Sequence, residues 1–98
     1  MQELIDKVQE LVAFELERAN TIHPPKFNSM HEAYAVILEE YEEAESEWEK
    51  LGVIIGSVWC DIKMDTRPEV WLERAEKNAI HLAAEAIQVS AMCRKARM

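Results

Sequence analysis

Apolar positions recur along this chain at three- and four-residue intervals, and that rhythm predicts four helical segments. Leu4, Val8, Leu11, Val12, Glu15 and Ala19 keep helical spacing, and Ile5 and Leu16 widen the stripe, so a first helix is expected over Gln2–Asn20. Thr21-Ile22-His23-Pro24-Pro25 ends it, because two prolines force extended backbone. Ser29 with Glu32 three residues on has the form of a capping box and opens a second helix. Met30, Ala33, Tyr34, Ile37, Tyr41, Ala44, Trp48 and Leu51 form its apolar face, and Lys50 followed by Gly52 predicts its end. Val53–Met64 reads as a short third helix. Thr66 and Glu69 form another capping box with Pro68 in the tolerated first turn, so a long last helix is expected from Arg67 to about Lys95.

The last helix carries apolar residues around nearly its whole circumference, among them Ala79, Ile80, Leu82, Ala83, Ala86, Ile87 and Val89. Such a helix is buried on several sides, and 98 residues can hardly surround it. The expectation is one all-α domain over residues 1–98, a four-helix bundle whose core is completed in a homodimer or homotetramer with Ala83, Ala86 and Ile87 near the contact. A central helix within a monomeric bundle is the alternative.

Charge narrows the partners. The formal net charge is −8, with 19 acidic against 11 basic residues, which disfavours nucleic acid or an anionic membrane as the main partner. Cys60 and Cys93 stand alone, without metal-ligand spacing, and read as free thiols in a reducing compartment. The first residues lack a basic region followed by an apolar stretch, so no signal peptide is expected. The apolar run Val53–Cys60 is too short to span a bilayer. A cytoplasmic location is predicted.

Glutamate is where chemistry enters. Seven of them, Glu39, Glu40, Glu42, Glu43, Glu45, Glu47 and Glu49, crowd one stretch and make six pairs at i,i+3 or i,i+4. At roughly 0.2–0.5 kcal/mol of repulsion per pair, the helix bears a cost of order 1–3 kcal/mol. Glu42, Glu45 and Glu49 fit a solvated face. Glu40, Glu43 and Glu47 share one sector, and Glu40 borders the apolar side, where a carboxylate needs a partner such as a hard divalent cation. On the last helix Asn78, His81, Glu85 and Gln88 form a polar line spaced three, four and three residues. Four polar groups in register suit the wall of a site, although a line that simply reaches solvent has the same pattern.

These strings resemble a known family. Glu39-Glu40-Tyr41-Glu42-Glu43 is similar to the E-E-x-x-E motif of the MazG-like, all-α NTP pyrophosphohydrolases, and Glu85-Ala86-Ile87-Gln88 stands where that superfamily has E-x-x-D. The flanking strings His31–Leu38 and Glu85–Met92 look like small phage- and prophage-type members, and the likeness covers Ser29–Leu51 and Glu76–Lys95, about half the chain. The resemblance implies four helices, a dimer or tetramer, and Mg²⁺ (or Mn²⁺ in its place) held by Glu40, Glu43 and Glu85, with Gln88 at the fourth metal-facing position. It implies hydrolysis of a nucleoside triphosphate to the monophosphate and pyrophosphate, with Glu39 orienting or deprotonating the attacking water. His81, Lys63, Lys77, Arg94 and Lys95 are candidates for substrate contact, although Arg94 and Lys95 also suit a helix C-terminus. Trp48, Trp59, Trp71 and Phe27 are of a type that stacks a base, with core packing the role expected of each.

Two features depart from the family pattern: Gln88 removes a charge where Asp is expected, and the stretch from Glu43 to Glu85 is longer than in many short members. A non-catalytic helical oligomeric module that retains the scaffold is therefore the second reading. Other enzyme classes find no support, since the only glycines, Gly52 and Gly56, form no phosphate loop, and no Glu-x-x-His of a di-iron bundle occurs.

Overall fold

The computed structural model describes residues 1–98 and contains three helices and no strand: α1 (Gln2–Ile22), α2 (Met30–Lys63) and α3 (Glu69–Ala96). α2 and α3 form a long antiparallel hairpin, and α1 packs on α3. No helix is long and apolar enough to cross a membrane.

The four expected helices are three because α2 does not stop at Gly52. It continues through Gly52 and Gly56 to Lys63, and neither glycine adopts the positive φ that a C-terminal cap requires. Apolar spacing runs on through Leu51, Ile54 and Val58, whose side chains are half-buried, so packing on α3 outweighs the glycine preference for ending a helix. The stop comes at Asp65, in the left-handed region at φ 56°. The Asp65 N–H donates to the Ile62 carbonyl (3.1 Å) and the Thr66 N–H to that of Asp61 (2.9 Å), a Schellman closure. Thr66 is thereby used on α2, its hydroxyl donating to the Asp61 carbonyl (3.1 Å). The expected Thr66 cap of the last helix is absent, and α3 begins after Pro68. The Ser29 cap is present, its Oγ accepting from the Glu32 N–H at 3.1 Å.

A Cβ placed on Gly52 meets no atom within 4 Å. Gly52→Ala should therefore raise stability by about 0.5–1 kcal/mol, as in any helix interior. Chemical denaturation checks this; a loss of stability would mean that α2 breaks at Gly52.

The core is small. Val12, Ala19, Ala91 and Met92 form it, with Leu16, Phe27, Val36, Ile37 and Ile87 packed around them, where α1, the start of α2 and the end of α3 converge. Beyond this junction α2 and α3 continue as a two-helix arm. Trp48 and Trp59, expected in a core, lie on that arm 65 % and 57 % exposed, because no third helix covers it. The radius of gyration is 17.0 Å, against about 13 Å for a compact 100-residue domain. The accessible surface is 7426 Å², where a monomeric protein of this mass exposes about 5,800 Å².

Candidate metal centre

The helical repeat of α2 and α3 brings three glutamates together next to the core. Glu40 and Glu43, one turn apart on α2, face Glu85 on α3, and one carboxylate oxygen from each lies within 4.8 Å of the others. Around an octahedral Mg²⁺ such oxygens stand about 2.9 Å apart when adjacent and about 4.1 Å when opposite. Oxygens that all lie within 4.8 Å of one another are compatible with that range. An all-carboxylate donor set suits a hard cation, so the residues fit the metal that the sequence resemblance implies.

Repulsion and burial leave a mark on two of the three. Burial pushes the Glu40 carboxyl above its ordinary pKa, and the charges of Glu43, Glu85, Glu39 and Glu15 add to the effect. Burial likewise raises Glu85, reinforced by a hydrogen bond and charge from Glu43 and partly countered by His81. Gln88 softens the arrangement. Oriented to suit its neighbours, its Nε2 donates to Glu85 Oε2 (3.1 Å) and Glu40 Oε2 (3.0 Å). The amide nitrogen, rather than the oxygen that would ligate a cation, faces the carboxylates here.

A second carboxylate layer lies one turn along. Glu47 Oε2 accepts from Asn78 Nδ2 at 2.9 Å, while its Oε1 meets Lys50 Nζ at 3.3 Å and His81 Nδ1 at 3.2 Å. Burial acts to raise Glu47, but the hydrogen bonds from His81 and Lys50 outweigh it and hold the carboxyl below its ordinary pKa. His81 Nε2 faces Glu85 Oε1 at 3.6 Å, so the imidazole links the two layers. The polar line Asn78, His81, Glu85 and Gln88 is thus the α3 wall of the site.

α1 contributes a residue that sequence reasoning placed on the apolar stripe but not in the site. Glu15 is buried, 8 % exposed, and its charge reaches Glu40. Two hydrogen bonds from Arg18, at 2.6 and 2.8 Å, hold it and lower its pKa against the opposing effect of burial. A carboxylate between Val12 and Ala19 on an otherwise apolar stripe was the available signal.

The remaining candidates scatter. Glu39 is exposed and lines an open groove beside Glu43 on the solvent side of the cluster. Glu42, Glu45 and Glu49 are solvated, as expected. Lys77 pairs with Glu73 (3.1 Å) on the surface. Lys63 stacks on Trp59 (5.7 Å) at the far end of α2, roughly 30 Å along the helix from Glu43, so within one chain it does not reach the cluster. Arg94 lines a groove against α1 with Asn20 and Glu17. Lys95 is buried against Phe27, about 10 Å along α3 beyond Gln88. Comparison of the chain with protein-family models, with curated proteins and with solved structures returned no match.

The shifts set a pH dependence. Glu40 and Glu85, raised above the ordinary 4.5, bind more protons folded than unfolded in the window above that value, so rising pH there destabilises the ion-free fold. Glu15 and Glu47, lowered, stabilise the fold above 4.5 and lose that contribution as pH falls through their depressed values. The melting temperature of the ion-free protein should decline as pH rises above 4.5 through the raised values of Glu40 and Glu85, and saturating Mg²⁺ should cancel most of the decline. An identical decline with and without Mg²⁺ would contradict a cation on these groups.

Proposed function

We propose that the chain is a Mg²⁺-dependent nucleoside triphosphate pyrophosphohydrolase of the MazG-like kind. The observation that carries the reading is the Glu40, Glu43 and Glu85 cluster, drawn from two helices and mutually repelling, with Glu40 and Glu43 belonging to the E-E-x-x-E string. A divalent cation bound there supplies charge neutralisation for the triphosphate and a lower pKa for an attacking water.

The chain's own groups divide the remaining work. Glu40, Glu43 and Glu85 hold the cation. Glu39, on the solvent side of Glu43, orients the water and accepts its proton. His81, anchored on Glu47, steadies Glu85 and lies where it can meet a phosphate. Water adds to phosphorus, the bond between the α- and β-phosphates breaks, and pyrophosphate leaves the monophosphate behind. A panel of common and damaged nucleoside triphosphates tests this: at least one should release pyrophosphate only when Mg²⁺ or Mn²⁺ is present. No release from any of them would remove the enzyme reading.

The Gln88 bridge favours a second reading. By donating to Glu40 and Glu85 it satisfies the cluster without a cation, as a non-catalytic module built on the same scaffold would need. Only the enzyme requires metal.

Self-association belongs to the same proposal. The chain exposes roughly 1,600 Å² more than a compact monomer, and uncovered Trp48, Val53, Ile55, Trp59 and Ile80 lie on the two-helix arm. A second copy covering them would complete the core in a homodimer or homotetramer. Ile87, expected near the contact, instead packs inside the chain against the Val12, Ala19, Ala91 and Met92 core. Light scattering at micromolar concentration should report at least twice 11.4 kDa; a monomer at every concentration would refute it.

A further inference from the structure

Lys95 is a buried side chain whose cation has no anion. It is 5 % exposed, and its Nζ lies 4.6 Å from the centre of the Phe27 ring. The ion pairs of the chain use Lys7, Arg18, Lys50, Arg67, Lys77 and His81, and leave Lys95 out. A lysine in the last turn of α3 suits the helix dipole, but that placement needs no burial. The one fully buried polar side-chain atom without a partner is Asn20 Oδ1. The stem of Lys95 is therefore buried while its ammonium, with no hydrogen bond inside the chain, stays open to solvent beside the ring.

Two cavities flank this ammonium, and Lys26, Phe27 and Lys95 stand in the walls of both. One, of about 180 Å³, extends toward Ala19, Val36 and Met92 and is mainly apolar, with His23 and Glu32 at its edge. The other, of about 210 Å³, opens at Ser29 and Met30, the N-terminus of α2. There the Ser29 hydroxyl already serves the Glu32 N–H, which leaves the Met30 and His31 N–H groups without an intrahelical acceptor. The positive end of a 34-residue helix therefore faces the same space as two lysines. Glu32, the one carboxylate side chain in these walls, is held by Asn28 through its backbone N–H (3.2 Å) and Nδ2 (3.0 Å).

We propose that this corner binds a phosphate monoester of a small organic molecule. The phosphoryl oxygens take Lys95, Lys26 and the first-turn amides of α2, a donor set suited to a dianion with three acceptor oxygens. The organic part lies along Ala19, Val36 and Met92. Glu40, Glu43 and Glu85 take no part, so the inference stands apart from the metal reading.

The test is a chelator-treated NMR titration of the full chain, observing the His31 amide and the Met92 methyl, with inorganic phosphate and phenyl phosphate as probes. Both should give saturable shifts at these positions, with phenyl phosphate at least several-fold tighter. Lys95→Met should weaken binding at least tenfold, and Lys95→Arg should retain it. Because Lys95 is buried, Lys26→Met on the exposed loop provides a second variant, expected to weaken binding a few-fold. No saturable shift with either probe, equal affinities for the two, or an affinity unchanged in both methionine variants overturns the proposal.

Discussion

Glu85→Gln is expected to lower Mg²⁺-dependent pyrophosphate release by more than about a hundredfold, the upper end of what losing a group one shell outside a metal usually costs. Glu85 is the only member of the cluster supplied by α3, so without its charge the cation would be held from one helix alone. The same change should help the ion-free fold. Burial and Glu43 already disfavour the Glu85 anion, and an amide in its place can donate to Glu43. A gain of about 1 kcal/mol, one ordinary hydrogen bond, corresponds to a melting temperature roughly 4–8 °C higher for a domain of this size. Loss of activity together with gain of stability separates a functional carboxylate from a structural one. Loss of both, measured by turnover and thermal melting, would mark Glu85 as part of the scaffold.

Gln88→Asp should have the opposite signature. In the ion-free state Gln88 donates to both Glu40 and Glu85, and an aspartate removes both donors while adding a fourth negative charge, with Glu15 nearby. The cost should be about 1–3 kcal/mol, from two carboxylates losing a buried donor. This exceeds the slight loss expected from charge repulsion alone. With Mg²⁺ the balance reverses: the added charge should tighten binding by roughly 1–2 kcal/mol, about tenfold, at an effective dielectric near 20. Calorimetric titration and melting of both proteins decide the matter. Equal Mg²⁺ affinities would place Gln88 off the cation and leave the non-catalytic module as the better reading.

Much of the candidate site's placement was legible because helical periodicity is strict. The three- and four-residue spacing of Asn78, His81, Glu85 and Gln88 put them on one face, and the structure has that face against Glu40, Glu43 and Glu47. The same spacing continues through Met92 to Lys95. Lys95 was named as a candidate for substrate contact, but its burial was not legible, because a lysine near a helix end already has an electrostatic explanation. Glu15 was missed for a related reason: it kept the apolar rhythm of α1 and was counted as packing. The break at Gly52 failed differently. Glycine carries the same local signal whether or not a partner helix runs alongside, and here α3 does. The exposure of Trp48 and Trp59 was not legible at all, since aromatic residues on a helical stripe look alike whether the surface they face lies within the chain or outside it.

Magnesium binding itself is the most direct test of the central claim, that Glu40, Glu43 and Glu85 form a divalent-cation site. Titration calorimetry of the wild type, in the absence of nucleotide and then with a non-hydrolysable triphosphate, should give one Mg²⁺ per chain, weak alone and tighter with the triphosphate. Binding should vanish in the triple variant Glu40→Gln, Glu43→Gln, Glu85→Gln while its helicity is retained. No Mg²⁺ or Mn²⁺ binding by the wild type under either condition, or binding that survives in the triple variant, would contradict the account.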